Sequence, residues 1–270
     1  MRLLFTATGL AWLFMLAVAT SSASDVTYAP VEGCHASTTS GNSLFVSPKV
    51  EKAFSSEVWI TANVLRKGRW LSFSNGGFSF SEHRYILTTA HTIEDEEGVL
   101  PDDVRIAVYL SDCSFQTARV VYVHQKDGLN VPDIMVLEIE HPPPPIPVST
   151  LKLRGMRGQP VTLLDNRQLP NIWKRDGVVV SAMFFAEPLD GTENKKTRDA
   201  KVGNIKILGA LPAILSKVEG RKGNSGDPLL DGQMHVLGVI MGVDDSGQHT
   251  VALPIALVMD YLKQHGVPLD

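Results

Sequence analysis

Residues 220–230 read GRKGNSGDPLL. Gly, Asn and Ser are all turn formers, each for its own reason. A turn followed by Asp-Pro and an apolar run can be nothing more than a surface loop entering a strand. It can also be a backbone bent so that one hydroxyl, that of Ser225, and the neighbouring N–H groups face a substrate. The second reading needs a base for the serine and a group that orients the base, and both have to come from elsewhere in the chain.

Upstream of this turn the chain is a succession of short β-type segments. EVWITANVL (57–65) is apolar and β-branched, and RWLSFSNGGFSFS (69–81) alternates around Asn-Gly-Gly, a hairpin signal. RYILTTAH (84–91), VRIAVYL (104–110), TARVVYVH (117–124) and DIMVLEIE (133–140) follow at short intervals. After HPPPPIPVS (141–149) the texture repeats in PVTLLDN (160–166), GVVVSAMFFAEPL (177–189), NIKILGAL (204–211), AILSKVEG (213–220) and MHVLGVIMGVD (234–244). Many short strands between turns predict a barrel or a sandwich. The four prolines cannot join a central strand and read as a semi-rigid joint between two β lobes, 57–145 and 146–252. The period changes in PIALVMDYLKQHG (254–266): apolar residues at 255, 257, 258 and 262, Pro254 before them and Gly266 after them predict a terminal helix within 253–270.

The ends and the composition narrow the function classes. Residues 1–24 carry Arg2, an apolar run from Leu3 and small residues at the end, the pattern of a secretory signal peptide, with an uncleaved anchor as the alternative. Residues 25–56 are turn-rich and read as an arm. The expected location is secreted or periplasmic, with no membrane span once the signal is cut, since no later run is long and apolar enough. A net charge of −4 with no basic stripe argues against nucleic acid as a partner. Cys34 and Cys113 lie in the mature part; an oxidising compartment predicts a disulfide between them, worth about 2–4 kcal/mol, with two free thiols as the alternative. The histidines show no H-E-x-x-H or similar spacing, and no metal or cofactor is called for.

The base and its orienting group are found at LTTAHTI (87–93) and NVPDIMVLEIE (130–140). His91 lies where a strand runs out into a turn, and Asp133 stands at the mouth of an apolar strand, where a carboxylate needs a partner for its charge. With Ser225 they stand in the order His, Asp, Ser. TTAH, PDIMVLEI and GNSGDP together resemble the chymotrypsin/trypsin family of serine proteases over about residues 57–265, whose motifs are Thr-Ala-Ala-His, Asp-Ile-Ala-Leu and Gly-Asp-Ser-Gly-Gly-Pro. GGFSFSEHRYILTTAH is similar to the family's approach to its histidine. The resemblance implies an all-β fold of two six-stranded antiparallel barrels and a C-terminal helix. It implies a peptide or protein substrate cleaved through an acyl-enzyme, with Ser225 as nucleophile, His91 as base and then acid, and Asp133 fixing the imidazole. The N–H groups of Gly223 and Ser225 would form the oxyanion hole.

Two positions depart from the family's pattern. Asn224 replaces an aspartate that pairs with a newly cut N-terminal amine in zymogen-activated members; Gly-Asn-Ser-Gly resembles bacterial exported branches. Asp227 replaces a second glycine, and a carboxylate so near the nucleophile would repel an anionic intermediate if it faced the site. That is the basis of an alternative function, a catalytically impaired protease-like domain that binds peptide or protein. Esterase activity from the same triad is a third reading. Glu219, Gly220, Arg221 and Lys222 are expected to wall the substrate pocket. Glu219 at its base would favour Lys or Arg, Arg221 and Lys222 would favour acidic side chains, and an ion pair between Glu219 and either would favour neither.

Overall fold

The computed structural model describes residues 47–82, 84–95, 99–123, 132–165, 173–185, 212–243 and 247–269. Two closed antiparallel barrels of six strands each make up the body. The first runs β1 (Glu57–Arg66), β2 (Arg69–Ser79), β3 (Tyr85–Thr88), β4 (Asp103–Tyr109), β5 (Phe115–Val123) and β6 (Met135–Glu138), closing in the order β1-β2-β3-β6-β5-β4. The second runs β7 (Pro160–Asp165), β8 (Trp173–Phe185), β9 (Pro212–Lys217), β10 (Pro228–Asp231), β11 (Val236–Val243) and β12 (Thr250–Pro254), closing as β10-β11-β12-β9-β8-β7. A helix, α1 (Pro48–Ser56), precedes the first barrel, and α2 (Ile255–Gln264) follows the second and buries Ile255, Val258 and Leu262. No helix among the described residues is long and apolar enough to cross a membrane.

Period-two alternation fills each barrel. On β1 the inward set Val58, Ile60, Ala62 and Val64 is fully buried and packs with Ile86, Ile106, Val108, Met135 and Leu137. In the second barrel Leu163, Ile214, Leu229, Leu237, Ile240 and Ala252 do the same. Outward-facing apolar residues form a third core between the barrels: Phe78, Leu87 and Val136 from the first meet Leu164, Leu230, Val239 and Met241 from the second. Helices close its rim, with Phe54 from α1 and Val258 and Leu262 from α2. This shared layer is what fixes one barrel against the other.

Several details differ from the sequence expectation. The Asn75-Gly76-Gly77 stretch is no hairpin turn: β2 runs straight through it, and neither glycine has a positive φ. The turn lies earlier, at Lys67 (φ 49°) and Gly68 (φ 74°), a two-residue loop with both central residues left-handed that pairs Arg66 with Arg69. The glycines serve close approach instead. A Cβ on Gly77 would stand 2.7 Å from Ile60 Cδ1 and 3.0 Å from the Leu87 carbonyl. The last nine residues of the expected arm form α1, capped by Ser47, whose Oγ accepts from the Val50 N–H. Two strands went unpredicted, β10 and β12, each four or five residues long and adjoining a stronger signal.

The proline joint is strapped to both barrels. Ile146 N donates to the Ser79 carbonyl (2.9 Å), Val236 N to Pro147 (2.8 Å) and Ser149 N to Val236 (2.8 Å). The strand expected at 204–211, the signal peptide, most of the arm, and Cys34 of the expected bridge to Cys113 lie outside the described residues.

Candidate active site

His91 sits in a single 3₁₀ turn, Ala90–Thr92, directly after β3, with Ala90 and Thr92 buried beneath it. Asp133 lies just before β6 in a three-residue turn closed by Ile134 N donating to the Pro132 carbonyl at 2.9 Å. The buried Ile134 anchors this turn in the layer between the barrels. The two side chains meet across the barrel mouth: the Asp133 carboxylate accepts the His91 backbone N–H at 2.9 Å through Oδ1 and contacts Nδ1 of the ring at 2.6 Å through Oδ2. This two-point grip sets the ring's orientation and places the proton on Nδ1, which leaves Nε2 to accept one. The ring is 39% exposed. Burial pulls the imidazole pKa down, but the charge and hydrogen bond of Asp133, with the charge of Glu94, outweigh it and hold the value above the ordinary 6.5.

Ser225 lies in the turn between β9 and β10. Gly223 (φ 96°) and Gly226 (φ 88°) flank it in left-handed backbone that other residues rarely adopt. Within this turn Asn224 N donates to Arg221 O (3.0 Å), Gly226 N to Ile240 O (2.7 Å) and Asp227 N to Asn224 O (3.1 Å). Among the described residues, the N–H groups of Gly223 and Ser225 donate to no protein acceptor. The Ser225 hydroxyl donates to the Met241 carbonyl at 3.3 Å; no hydrogen bond joins it to His91 among the described residues.

Two consecutive residues of β2 bring the halves together. Asn75 Nδ2 donates to Thr92 Oγ1 at 2.7 Å, next to His91. Gly76 N donates to the Ser225 carbonyl at 2.9 Å, and Gly76 O accepts from Thr88 Oγ1 at 2.7 Å. A Cβ on Gly226 would lie 2.2 Å from Gly76 O and 2.5 Å from Thr88 Oγ1, so the serine turn packs on the strand that leads to the histidine. The Asn-Gly-Gly signal predicts a turn; no local signal distinguishes a glycine kept for a neighbour's approach from one kept for a bend.

Asp227 is fully buried beneath the serine turn. Its Oδ2 accepts from Asn224 Nδ2 at 2.8 Å, and its carboxyl lies against Gly76, where a Cβ would stand 1.5 Å from Oδ1. Nearby, Glu57 is also buried and its carboxyl has no hydrogen-bond partner among the described residues. Burial first, then the charges of Asp227 and Asp165, raise the Glu57 carboxyl well above the usual carboxylate range. Asp165 is itself paired with Arg175 at 3.0 Å.

Of the expected pocket residues, Gly220 is buried, with Val243 and Thr250 where a Cβ would go, while Glu219 and Arg221 are exposed and face solvent with their charged ends. Lys222 is exposed as well. Glu219 Oε1 pairs with Arg221 at 3.3 Å, and its carbonyl accepts from Arg175. A cavity of about 490 Å³ near the start of α2, lined by Leu151, Leu153, Met156, Leu237 and Ile255, includes none of these residues.

The family described as a trypsin-like peptidase domain matches residues 75–239, which span His91, Asp133 and Ser225. No curated protein matches the chain. Among solved structures, the Rv3671c protease from M. tuberculosis in its active form is 21% identical, covers 82% of this chain and 85% of its own, and superposes with a TM-score of 0.59. The inactive form of the same protease is 20% identical, covers 81% and 93%, and gives 0.56. These neighbours have the same fold of paired barrels. With the family matched over well over half its length, the chain belongs to the trypsin-like peptidase domain family of chymotrypsin/trypsin-like serine proteases.

Proposed function

We propose that the protein is an exported serine endopeptidase that hydrolyses peptide bonds through Ser225, His91 and Asp133. The observation that carries this is the joint anchoring of both halves on β2: Asn75 bonds beside His91 and Gly76 bonds to Ser225, with Asp133 gripping the imidazole from its far side. The reading requires Ser225 Oγ to leave its long hydrogen bond to the Met241 carbonyl for one to His91 Nε2. The imidazole then takes the hydroxyl proton as Oγ attacks the substrate carbonyl carbon. Negative charge on the carbonyl oxygen is received by the Gly223 and Ser225 N–H groups, which have no other acceptor among the described residues. Collapse breaks the C–N bond and the imidazolium gives its proton to the departing amine. Water, deprotonated by the same base, releases the acid and restores the serine.

Export follows from the N-terminal pattern of residues 1–24, and the oxidised Cys34–Cys113 pair would accompany it. The Glu219–Arg221 pair favours an entrance with little charge preference over one specific for Lys or Arg. The alternative of a non-cutting peptide binder had Asp227 as its support, and that carboxylate is buried and bonded to Asn224. The test is a fluorophosphonate probe. Labelling that disappears in Ser225→Ala is expected; a folded protein that takes no Ser225-dependent label would sink the hydrolase reading in favour of the binder.

A further inference from the structure

Asn224 is fully buried at the centre of the serine turn and uses both ends of its amide. Its Oδ1 accepts the Arg221 N–H at 2.7 Å and its Nδ2 donates to Asp227 Oδ2 at 2.8 Å. Its own N–H and carbonyl complete two further bonds, to Arg221 O and from Asp227 N. The turn is therefore closed on both sides of Ser225 by one residue. The amide orientation follows from its neighbours, since a backbone N–H requires an acceptor and a carboxylate requires a donor. With Asp227 in place, neither an aspartate nor an apolar residue at position 224 meets both demands.

Asp227 is equally constrained. It is fully buried, and on the β2 side Gly76 gives it space only by lacking a Cβ. The two positions that depart from the family's sequence pattern are thus partners in one hydrogen bond. The outcome lies at the surface of the turn. With the Asn224, Gly226 and Asp227 N–H groups all engaged, those of Gly223 and Ser225 are left with no protein acceptor among the described residues.

We propose that the Asn224–Asp227 pair is a positioning device that holds residues 221–227 in their donor-presenting shape from within, so that the site is assembled without a newly cut chain terminus. Both residues are positioning residues; neither touches the substrate. The proposal rests on the reading of Ser225 as nucleophile. It accounts for Asp227, which otherwise looks like a hazard to the anionic intermediate. Exchanging the two side chains preserves the bond. A carboxylate at position 224 would still accept from Arg221 N, and an amide at position 227 would supply the donor that joins the pair.

The experiment measures fluorophosphonate inactivation of the full chain, split into kinact and KI, with urea unfolding to confirm that each variant is folded under the assay conditions. Asn224→Asp sets two carboxylates against each other and is expected to lower kinact by about 10²–10³, the scale of a lost oxyanion donor. KI should change little. Asn224→Asp combined with Asp227→Asn should return kinact to within about tenfold of the parent. If Asn224→Asp fails to fold, Asp227→Gly serves: the fold has room for it, and a tenfold or larger fall in kinact is expected. A parent without Ser225-dependent label defeats the function reading and this proposal with it. A labelled parent, with Asn224→Asp or Asp227→Gly reacting at the parent rate, or with the exchanged pair as slow as Asn224→Asp, overturns the proposal alone.

Discussion

Gly76→Ala tests the contact that joins the two barrels at the site. The backbone there is ordinary extended strand, so alanine itself is tolerated. Its methyl would, however, stand 1.5 Å from Asp227 Oδ1 and 2.4 Å from Cγ. Asp227 is fully buried and cannot yield without giving up its 2.8 Å bond from Asn224. Losing a hydrogen bond to a charged group costs about 1.5–3 kcal/mol, and overpacking a tight site about 1–3 kcal/mol. Together they predict a loss of about 3–5 kcal/mol, a large part of the ~5–15 kcal/mol that holds a typical domain folded. The urea midpoint should fall by about 1–2 M. Asp227→Gly alone should cost about 2–3 kcal/mol, because Asn224 Nδ2 is left without its acceptor. In the double variant the methyl occupies the vacated space and the Asn224 bond is lost only once, so the combined cost should be about 3–5 kcal/mol less than the sum of the two. Equilibrium urea unfolding of all four proteins gives the cycle. Strict additivity, or a Gly76→Ala protein as stable as the parent, would refute the apposition of Asp227 and β2 on which the site geometry depends.

Other expectations follow from neighbouring contacts. Gly226→Ala places a Cβ 2.2 Å from a carbonyl at φ 88°, where nothing flexible can yield, and should abolish Ser225 labelling even where circular dichroism reports a folded protein. Since His91 must be neutral to accept a proton and its pKa is raised, kcat/KM on a peptide substrate should climb with pH through a midpoint above 6.5. Asp133→Asn removes the charge and hydrogen bond that raise it, so the midpoint should move down while turnover falls about 10⁴-fold; an unmoved midpoint would contradict the assignment. For Glu57 the sign is the reverse of a salt-bridged carboxylate. Its folded pKa is raised, so the folded state holds the proton more tightly and stability declines as pH rises from about 4.5 toward the folded value. Glu57→Gln should therefore gain on the parent in urea midpoint as pH rises above about 4.5, and a difference independent of pH would count against a buried acid whose pKa is raised.

Much of this was legible in the chain. His91 stands out where a strand runs out into a turn, Asp133 at the mouth of an apolar strand and Ser225 between two glycines of a turn, and the three occur in one order along two lobes. The strands β1 and β11 were legible from their apolar character, and α2 from its change of period and its proline. What escaped is tertiary. Asn75-Gly76-Gly77 carries the local signal of a turn, yet its glycines are fixed by Asp227 and Leu87, which lie in other strands and loops. For Asp227, two residues from the nucleophile, the sequence leaves open whether the carboxylate faces the site; the left-handed glycine between them turns it under the loop. Glu57, at the start of an apolar strand, gave no sign that its side chain is buried with no hydrogen-bond partner among the described residues.

The most direct test is a crystal structure of the protein after reaction with a fluorophosphonate. The account predicts phosphorus bonded to Ser225 Oγ, a phosphoryl oxygen within hydrogen-bond reach of the Gly223 and Ser225 N–H groups, and His91 Nε2 facing the adduct with Asp133 still on Nδ1. A label on another residue, or an adduct on Ser225 whose oxygen points away from both N–H groups, would contradict it.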